Sequence, residues 1–186
     1  MKKIILVFMA LFVVCSVYSQ DEFYYDDETR DAVYVAPDSK FVKKWNKVGN
    51  SNVITFYANK TFKEEYHVTN NEFGVEVAIT TYIHGTWKRD RKMTLIQTYT
   101  NVTANANPKD LAKLSARKQD EIKSGLRINC ANMKKKFAGK SSTFQIERVD
   151  NDHLILKQEG LWSDNEYFYC SDNLKKKLSE EETKKE

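Results

Sequence analysis

Histidine and cysteine are scarce in this chain of 186 residues, which has three of each. His67, His84 and His153 have no second histidine, cysteine or carboxylate at the spacing that holds a metal ion, so the sequence predicts no metal site. The serines lack the glycine pattern of a nucleophile elbow, and no cofactor-binding motif is present. We therefore expect no catalytic residues, no cofactor and no enzymatic activity.

A glycosidase-type pair of carboxylates also finds little support in the sequence. Glu64, Glu65, Glu72 and Glu76 would serve as acid and base only if two of them converged in one cleft. Because all four stand in segments of alternating polarity, we expect them to lie on a solvated face of the fold.

The chain has no large excess of charge of one sign, since its formal net charge is +4. This balance argues against nucleic acid as the main partner. The charges are nevertheless unevenly placed. Residues 20–38 hold seven acidic residues against Arg30 alone, whereas residues 109–140 hold ten basic residues against three acidic ones. A local role for this asymmetry is expected.

No apolar run is as long as the roughly 20 residues that a membrane-spanning helix needs. The run Ile4–Val14 follows two lysines and precedes small-residue spacing at Val17 and Ser19, which predicts a signal peptide over residues 1–19. The protein is then periplasmic or secreted. An alternative is a lipoprotein anchored at Cys15, but valine stands where a small residue is usual, so we favour cleavage after Ser19.

Only Cys130 and Cys170 remain after this cleavage. Disulfides persist outside the cytosol, so we predict one bridge between them. It would close a loop of about 40 residues and contribute about 3–4 kcal/mol in the chain-entropy model. Two buried thiols are the alternative.

The rest of the chain predicts one domain with two tails. Residues 20–39 form an acidic leader that carries several aromatic residues. Residues 40–172 form the domain. Residues 173–186 are nearly all Lys, Glu, Ser and Thr, with only two leucines, and we expect a charged, disordered tail because so little apolar surface cannot offset the entropy of ordering.

Alternation of apolar and polar residues dominates the domain and predicts strands. The clearest strand covers residues 75–84, and a polar link joins it to the alternating run 93–100. The other predicted strands cover residues 41–48, 53–57, 61–69, 143–149, 153–160 and 166–170. Because these strands follow one another in hairpins without βαβ alternation, we predict a mainly β fold, an eight-stranded antiparallel meander or barrel.

One segment interrupts the meander. Asn107 is a good N-cap, Pro108 suits the first helical position and Gly139 stands where a helix would end, which predicts a helical insert over residues 108–138. An unbroken helix of this length would span about 46 Å. We therefore predict a bend or break near Ser124–Gly125.

Several hairpin patterns in the chain resemble those of the small secreted lipocalin-like (calycin-type) domains of bacteria. They are VITFYANKTF at residues 53–62, GTW at residues 85–87 followed by MTL at 93–95, FQI at 144–146, and DHLIL at 152–156. The resemblance covers roughly residues 41–170. It implies a barrel that agrees with the strand count.

Five aromatic residues are our candidates for lining a ligand pocket, because aromatic walls with a few polar tips suit small ligands. They are Trp45, Tyr82, Trp87, Tyr99 and Trp162. The alternative is that they form plain core. Tyr82 lies opposite the aliphatic face of its strand, so it points to solvent if that face covers a filled core.

Two functions remain open. The first is an exported lipocalin-like binding protein for a small or apolar ligand. The second is a non-enzymatic structural or protein-interaction module of the cell envelope with a filled barrel, in which the basic helix or the acidic leader contacts a partner. For the basic helix, that partner could be an anionic envelope surface. The basic residues of that helix could instead be solvated or paired with the acidic leader. A cavity would distinguish the two functions.

Overall fold

The computed structural model describes residues 38–71, 74–90, 93–158 and 165–183. The predicted signal peptide, residues 20–37 of the leader, and Trp162 lie outside the described residues.

Eight antiparallel strands form a closed barrel in which each strand pairs with the next and β8 pairs with β1. They are β1 (Lys44–Lys47), β2 (Val53–Phe56), β3 (Thr61–Asn70), β4 (Val77–Arg89), β5 (Thr94–Ala106), β6 (Ser141–Val149), β7 (His153–Gln158) and β8 (Asn165–Cys170). Three helices accompany them: α1 (Pro108–Leu111), α2 (Ala116–Phe137) and α3 (Asp172–Thr183). The predicted mainly β barrel with a helical insert between β5 and β6 is confirmed.

The direction of each side chain follows from the two-residue period of the strands. On β4 the aliphatic face, which includes Val77, Ile79 and Ile83, is buried. Tyr82 and His84 therefore lie on the outer face of the barrel, where their rings are 6.5 Å apart between centroids.

One end of the barrel is closed by aromatic side chains. A short 3-10 turn over Asp38–Lys40 leads Phe41 into this end, where it stacks on Trp87 with ring centroids 6.1 Å apart. Phe56 packs edge-on against the same Trp87 ring at 5.6 Å. Trp45 is fully buried and donates its indole N–H to the Phe41 carbonyl oxygen at 3.1 Å. We call this part of the molecule the closed end.

Gly85 lies at an irregularity in the barrel wall beside this core. The register between β4 and β5 shifts between His84 and Gly85, which marks a β-bulge. A Cβ atom at Gly85 would collide with the Thr98 carbonyl oxygen and would lie 2.7 Å from Cζ of Phe62. Glycine is therefore required for Phe62 to fill the barrel interior.

The helical insert breaks earlier than the sequence predicts. Asn107 accepts a hydrogen bond from the Lys109 N–H at 2.9 Å, as predicted for an N-cap, but α1 ends at Leu111 and α2 begins at Ala116. The predicted bend or break near Ser124–Gly125 is wrong, since α2 runs through these residues. The reason lies in packing. The core cluster around Val77 and Ile79 includes Leu111 and Leu114, which precede α2. It also includes Ile122 and Leu126, which lie on either side of Gly125 within α2.

The predicted disulfide is also wrong, because Cys130 and Cys170 are free thiols. Cys130 lies on α2, which packs against β5. Cys170 lies in β8, where it pairs with Asn46 of β1 and His153 of β7. The two cysteines therefore lie on elements with different packing partners, which the spacing of cysteines in the sequence does not reveal.

Part of the segment predicted as a disordered tail, residues 173–183, belongs to helix α3. Ser171 accepts a hydrogen bond from the Leu174 N–H at 3.1 Å, which satisfies one of the free donors at the start of the helix. Asp172 accepts a hydrogen bond from the Asn46 side chain at 2.7 Å and pairs with Lys44 at 3.3 Å. These local contacts anchor the helix to β1, which composition alone does not reveal.

Candidate functional site

A cleft of about 1020 Å³ lies between the second half of β5 and one face of α2. On the strand side it is lined by residues 102–106, followed by Pro108 and Leu111. On the helix side it is lined by Gln119, Lys123, Leu126, Arg127 and Cys130. Its volume is at the upper end of the range typical of small-molecule sites.

The cleft exists because β5 is longer than its neighbour. Strand β5 has 13 residues, but β6 pairs with it only over Thr94–Thr98. After α2, the chain comes back to β5 at Gly139, whose φ of +81° suits glycine at a helix end. The Gly139 N–H donates to the Tyr99 carbonyl oxygen at 2.8 Å. Beyond Tyr99, this edge of β5 faces α2, and no strand among the described residues pairs with it.

The strand side of the cleft presents backbone hydrogen-bonding groups. The Asn107 N–H donates to the Ala78 carbonyl oxygen on β4 at 2.8 Å. Along an antiparallel strand, the backbone groups of successive residues point alternately to the two sides. Those of Val102, Ala104 and Ala106 therefore point away from β4 and toward the cleft.

The side chains of the cleft divide into an apolar wall and a cationic rim. Ala104, Ala106 and Leu126 contribute to the wall, and Leu126 is buried. Lys123 and Arg127 form the rim one helical turn apart, and both are exposed. An apolar molecule that carries an acidic group matches this arrangement, since the body would contact the wall and the acid would meet the rim.

Cys130 contributes a thiol to the lining of the cleft. Burial raises the pKa of the Cys130 thiol above its usual value. The thiol is therefore protonated near neutral pH and behaves as a small apolar group.

A polar group of side chains lies inside the barrel, beyond the aromatic closed end. Glu64 on β3 pairs with Ile54 and Ile83, whose side chains are buried, so its carboxylate faces the interior. The Tyr66 hydroxyl donates to Glu64 Oε2 at 2.6 Å. Burial raises the pKa of Glu64, although the Tyr66 hydrogen bond and the charge of Lys47 act in the opposite direction.

The expectation that Glu64 belongs to a solvated face is therefore wrong. Its position was readable from the alternation, since Glu64 stands two residues after Phe62 and shares its phase. Lys47 reaches the same interior region, with Nζ 5.1 Å from the centroid of the Tyr167 ring. A polar residue in phase with core residues was the signal that we missed.

The described candidate aromatics do not line the cleft. Trp45 and Trp87 lie together in the closed end, 0% and 2% exposed. Tyr99 packs edge-on against Phe62 at 5.9 Å and donates its hydroxyl hydrogen to Ser142 Oγ at 3.0 Å. Tyr82 lies on the outer face, and Trp162 lies outside the described residues. The residues of β5 and α2 that line the cleft include no aromatic side chain, so the search for aromatic residues in the sequence did not find them. They line a cleft because of the length of β5 and the position of α2.

Among the described residues, no three His, Cys, Asp or Glu side chains are placed to hold a metal ion together. No helix within the described ranges combines the length and the apolar character needed to cross a membrane.

Comparison of the chain with protein-family models gave no match, and comparison with curated proteins gave none either.

Proposed function

We propose that this protein is an exported, lipocalin-like binding protein that holds a small apolar ligand in the cleft between β5 and α2 and carries out no chemistry on it. The observation that supports this proposal most strongly is the cleft of about 1020 Å³ with its apolar wall and cationic rim. Its position between sheet and helix lets the ligand contact both elements.

The ligand that best fits this cleft has an apolar body and one acidic group. Burial of the body against Ala104, Ala106 and Leu126 would provide most of the affinity, at about 25 cal/mol per Å² of apolar surface removed from water. Lys123 and Arg127 would attract the acid and set its orientation. Because both are exposed, salt should weaken this part of the interaction.

Packing at the closed end favours the cleft over the aromatic interior as the ligand site. Phe41, Trp45 and Phe56 are at most 1% exposed, and their rings fill the space between the strands at this end. A ligand there would have to displace close-packed side chains. The cleft requires no such displacement.

A second candidate function is the envelope-interaction module. Lys134, Lys135 and Lys136 are adjacent and exposed at the end of α2, which favours contact with an anionic surface. Lys113 and Arg117, in contrast, are paired with Asp110 at 2.8 Å and Glu121 at 3.2 Å. Any such contact would therefore centre on the three adjacent lysines.

Native mass spectrometry of protein purified from its own source tests the first function, since a carrier should retain a small molecule. A titration with dansyl-labelled undecanoic acid then locates the site. We expect Ala104→Trp, which fills the cleft, to weaken binding at least tenfold. Ala78→Trp is the matched control, because Ala78 is exposed on the outer face of β4, and it should bind as the unchanged protein does.

The double variant Lys123→Gln, Arg127→Gln tests the rim. It should weaken binding of the dansylated acid several-fold and leave binding of the corresponding alcohol unchanged. Binding that is insensitive to Ala104→Trp would contradict the cleft as the site. The interaction module would instead be supported by two results together. The protein would bind neither a ligand nor the probe, and it would bind anionic vesicles in a way that the triple variant Lys134→Gln, Lys135→Gln, Lys136→Gln abolishes.

A further inference from the structure

The second half of β5 is an open strand edge within the described part of the chain. Strand β6 pairs with β5 only as far as Thr98, and Tyr99 bonds to the backbone just after α2. Beyond these bonds no described strand pairs with the edge, and the backbone groups of Val102, Ala104 and Ala106 point toward the cleft. Unpaired N–H and C=O groups on a strand edge are a template for an additional strand.

These backbone groups restrict the kind of ligand that fits the cleft. A ligand without hydrogen-bonding groups along its length would remove them from water and leave them without partners, which costs free energy. An extended peptide carries N–H and C=O groups at the spacing of the strand itself, so it covers the edge and pairs with it. Among ligands with an apolar body and an acidic group, the edge therefore favours a peptide over a simple fatty chain.

The dimensions of the cleft suit a short extended segment. The stretch of β5 from Val102 to Ala106 is about 13 Å long at about 3.3 Å per residue. The lining face of α2 from Gln119 to Cys130 is about 16 Å long at about 1.5 Å per residue. An extended peptide of about five residues has the length of this stretch of β5.

Charge and apolar surface select the side chains of that peptide. Lys123 and Arg127 line the helix side of the cleft, and both are exposed. None of the ion pairs between described residues includes either of them, whereas Lys113 and Arg117 of the same insert are paired. The neighbouring wall includes the buried Leu126. A peptide that carries both carboxylates and apolar side chains complements the rim and the wall.

From these observations we infer that the cleft binds an extended peptide of about five residues that carries apolar and acidic side chains. The peptide adds to the free edge of β5 as a further strand, and its carboxylates face Lys123 and Arg127. This inference rests on the proposed function, since it names the class of ligand that the cleft binds. It adds that recognition depends on hydrogen bonds to the β5 backbone.

Fluorescence titration of the protein with the dansyl-labelled pentapeptide Val-Glu-Val-Glu-Val tests the inference. The N–H groups of successive residues in an extended peptide point to opposite sides, so only alternate ones can donate to β5. N-methylation of the central valine removes an N–H on one side, and N-methylation of the glutamate after it removes an N–H on the other. We expect one of these two peptides to bind about tenfold or more weakly than the parent peptide and the other to bind within about twofold.

Charge reversal on the helix side provides a second test. Lys123→Glu, Arg127→Glu should weaken binding of the parent peptide by about tenfold or more, because like charges then face each other. The peptide Val-Lys-Val-Lys-Val should bind this variant more tightly than it binds the unchanged protein. Lys134→Glu, Lys135→Glu is the matched control, since both lysines are exposed on α2 and lie outside the cleft lining. It should leave binding of the parent peptide within about twofold.

Equal effects of the two N-methyl groups would overturn the inference, because binding would then not depend on the strand edge. Tight binding of dansyl-labelled undecanoic acid without binding of the parent peptide would also overturn it, but would leave the proposed function in place. Binding of neither probe would count against both. Peptide binding that falls as the protein dimerises in analytical ultracentrifugation would overturn the inference by assigning the edge to a second copy of the chain.

Discussion

The two ends of this barrel are built by different means. At the closed end, Phe41, Trp45 and Trp87 are at most 2% exposed and fill the space between the strands. At the other end, aliphatic residues of β4 are covered by α1 and α2, and the mismatch in length between β5 and β6 leaves a cleft. The comparison teaches that aromatic content marks the core here, whereas strand length marks the candidate site.

The largest expected effect is at the closed end. Trp87→Ala should lower the free energy of unfolding by about 3–5 kcal/mol, because it removes a ring packed between Phe41 and Phe56 and leaves a cavity. Urea unfolding measures the change. Probe binding by the folded fraction should stay the same. A variant that lost binding and kept its stability would reverse our assignment of the two ends.

Gly85→Ala should lower the free energy of unfolding by about 1–3 kcal/mol, because the added Cβ meets the Thr98 carbonyl oxygen and the Phe62 ring. Thermal unfolding followed by circular dichroism provides the measurement. Ala78→Gly, on the exposed face of the same strand, is a control for glycine in β4. An unchanged unfolding midpoint for Gly85→Ala would show that the bulge tolerates a side chain.

At the cleft end, Asn107→Ala should cost about 1 kcal/mol, since it removes the side-chain acceptor of the Lys109 N–H at the start of α1. The loss should be accompanied by faster amide exchange in α1. Asn107→Ser keeps an N-cap acceptor and should recover most of the stability. Equal losses for alanine and serine would argue that the cap contributes little.

Glu64→Gln should change how stability depends on pH. Burial raises the pKa of Glu64 above its usual 4.5, so the folded protein binds this proton more tightly than the unfolded chain does. The stabilisation is complete below pH 4.5 and is lost as the pH rises through the raised pKa. In urea unfolding measured from pH 4 to 8, the free energy of unfolding should fall less steeply with rising pH for Glu64→Gln than for the unchanged protein.

Glu65→Gln provides the matched control for that measurement. Glu65 lies next in the strand but faces outward, where it pairs with Lys63 at 2.7 Å. For Glu65→Gln, the free energy of unfolding should fall with rising pH as steeply as it does for the unchanged protein. The same slope for Glu64→Gln and the unchanged protein would mean that the interior carboxylate titrates normally.

The sequence predicted local features reliably where interactions between residues close in the chain are enough to determine them. Asn107 caps α1, Gly139 ends α2, and the alternation along β4 gives its buried face. Three other predictions failed for one common reason. They were the interruption of the helix at Ser124–Gly125, the disulfide between Cys130 and Cys170, and the place of Tyr82 in a pocket. Each depended on which distant element a segment packs against, and neither periodicity nor composition contains that information.

The sequence by itself determined the strands, their order in successive hairpins and the presence of a helical insert, because these follow from neighbours a few residues apart. Only the tertiary structure decided that β6 leaves β5 after five paired residues and that α2 takes its place along the strand edge. That choice depends on the packing of Leu111, Ile122 and Leu126 against residues of β4 more than 30 positions away, and the cleft is its consequence.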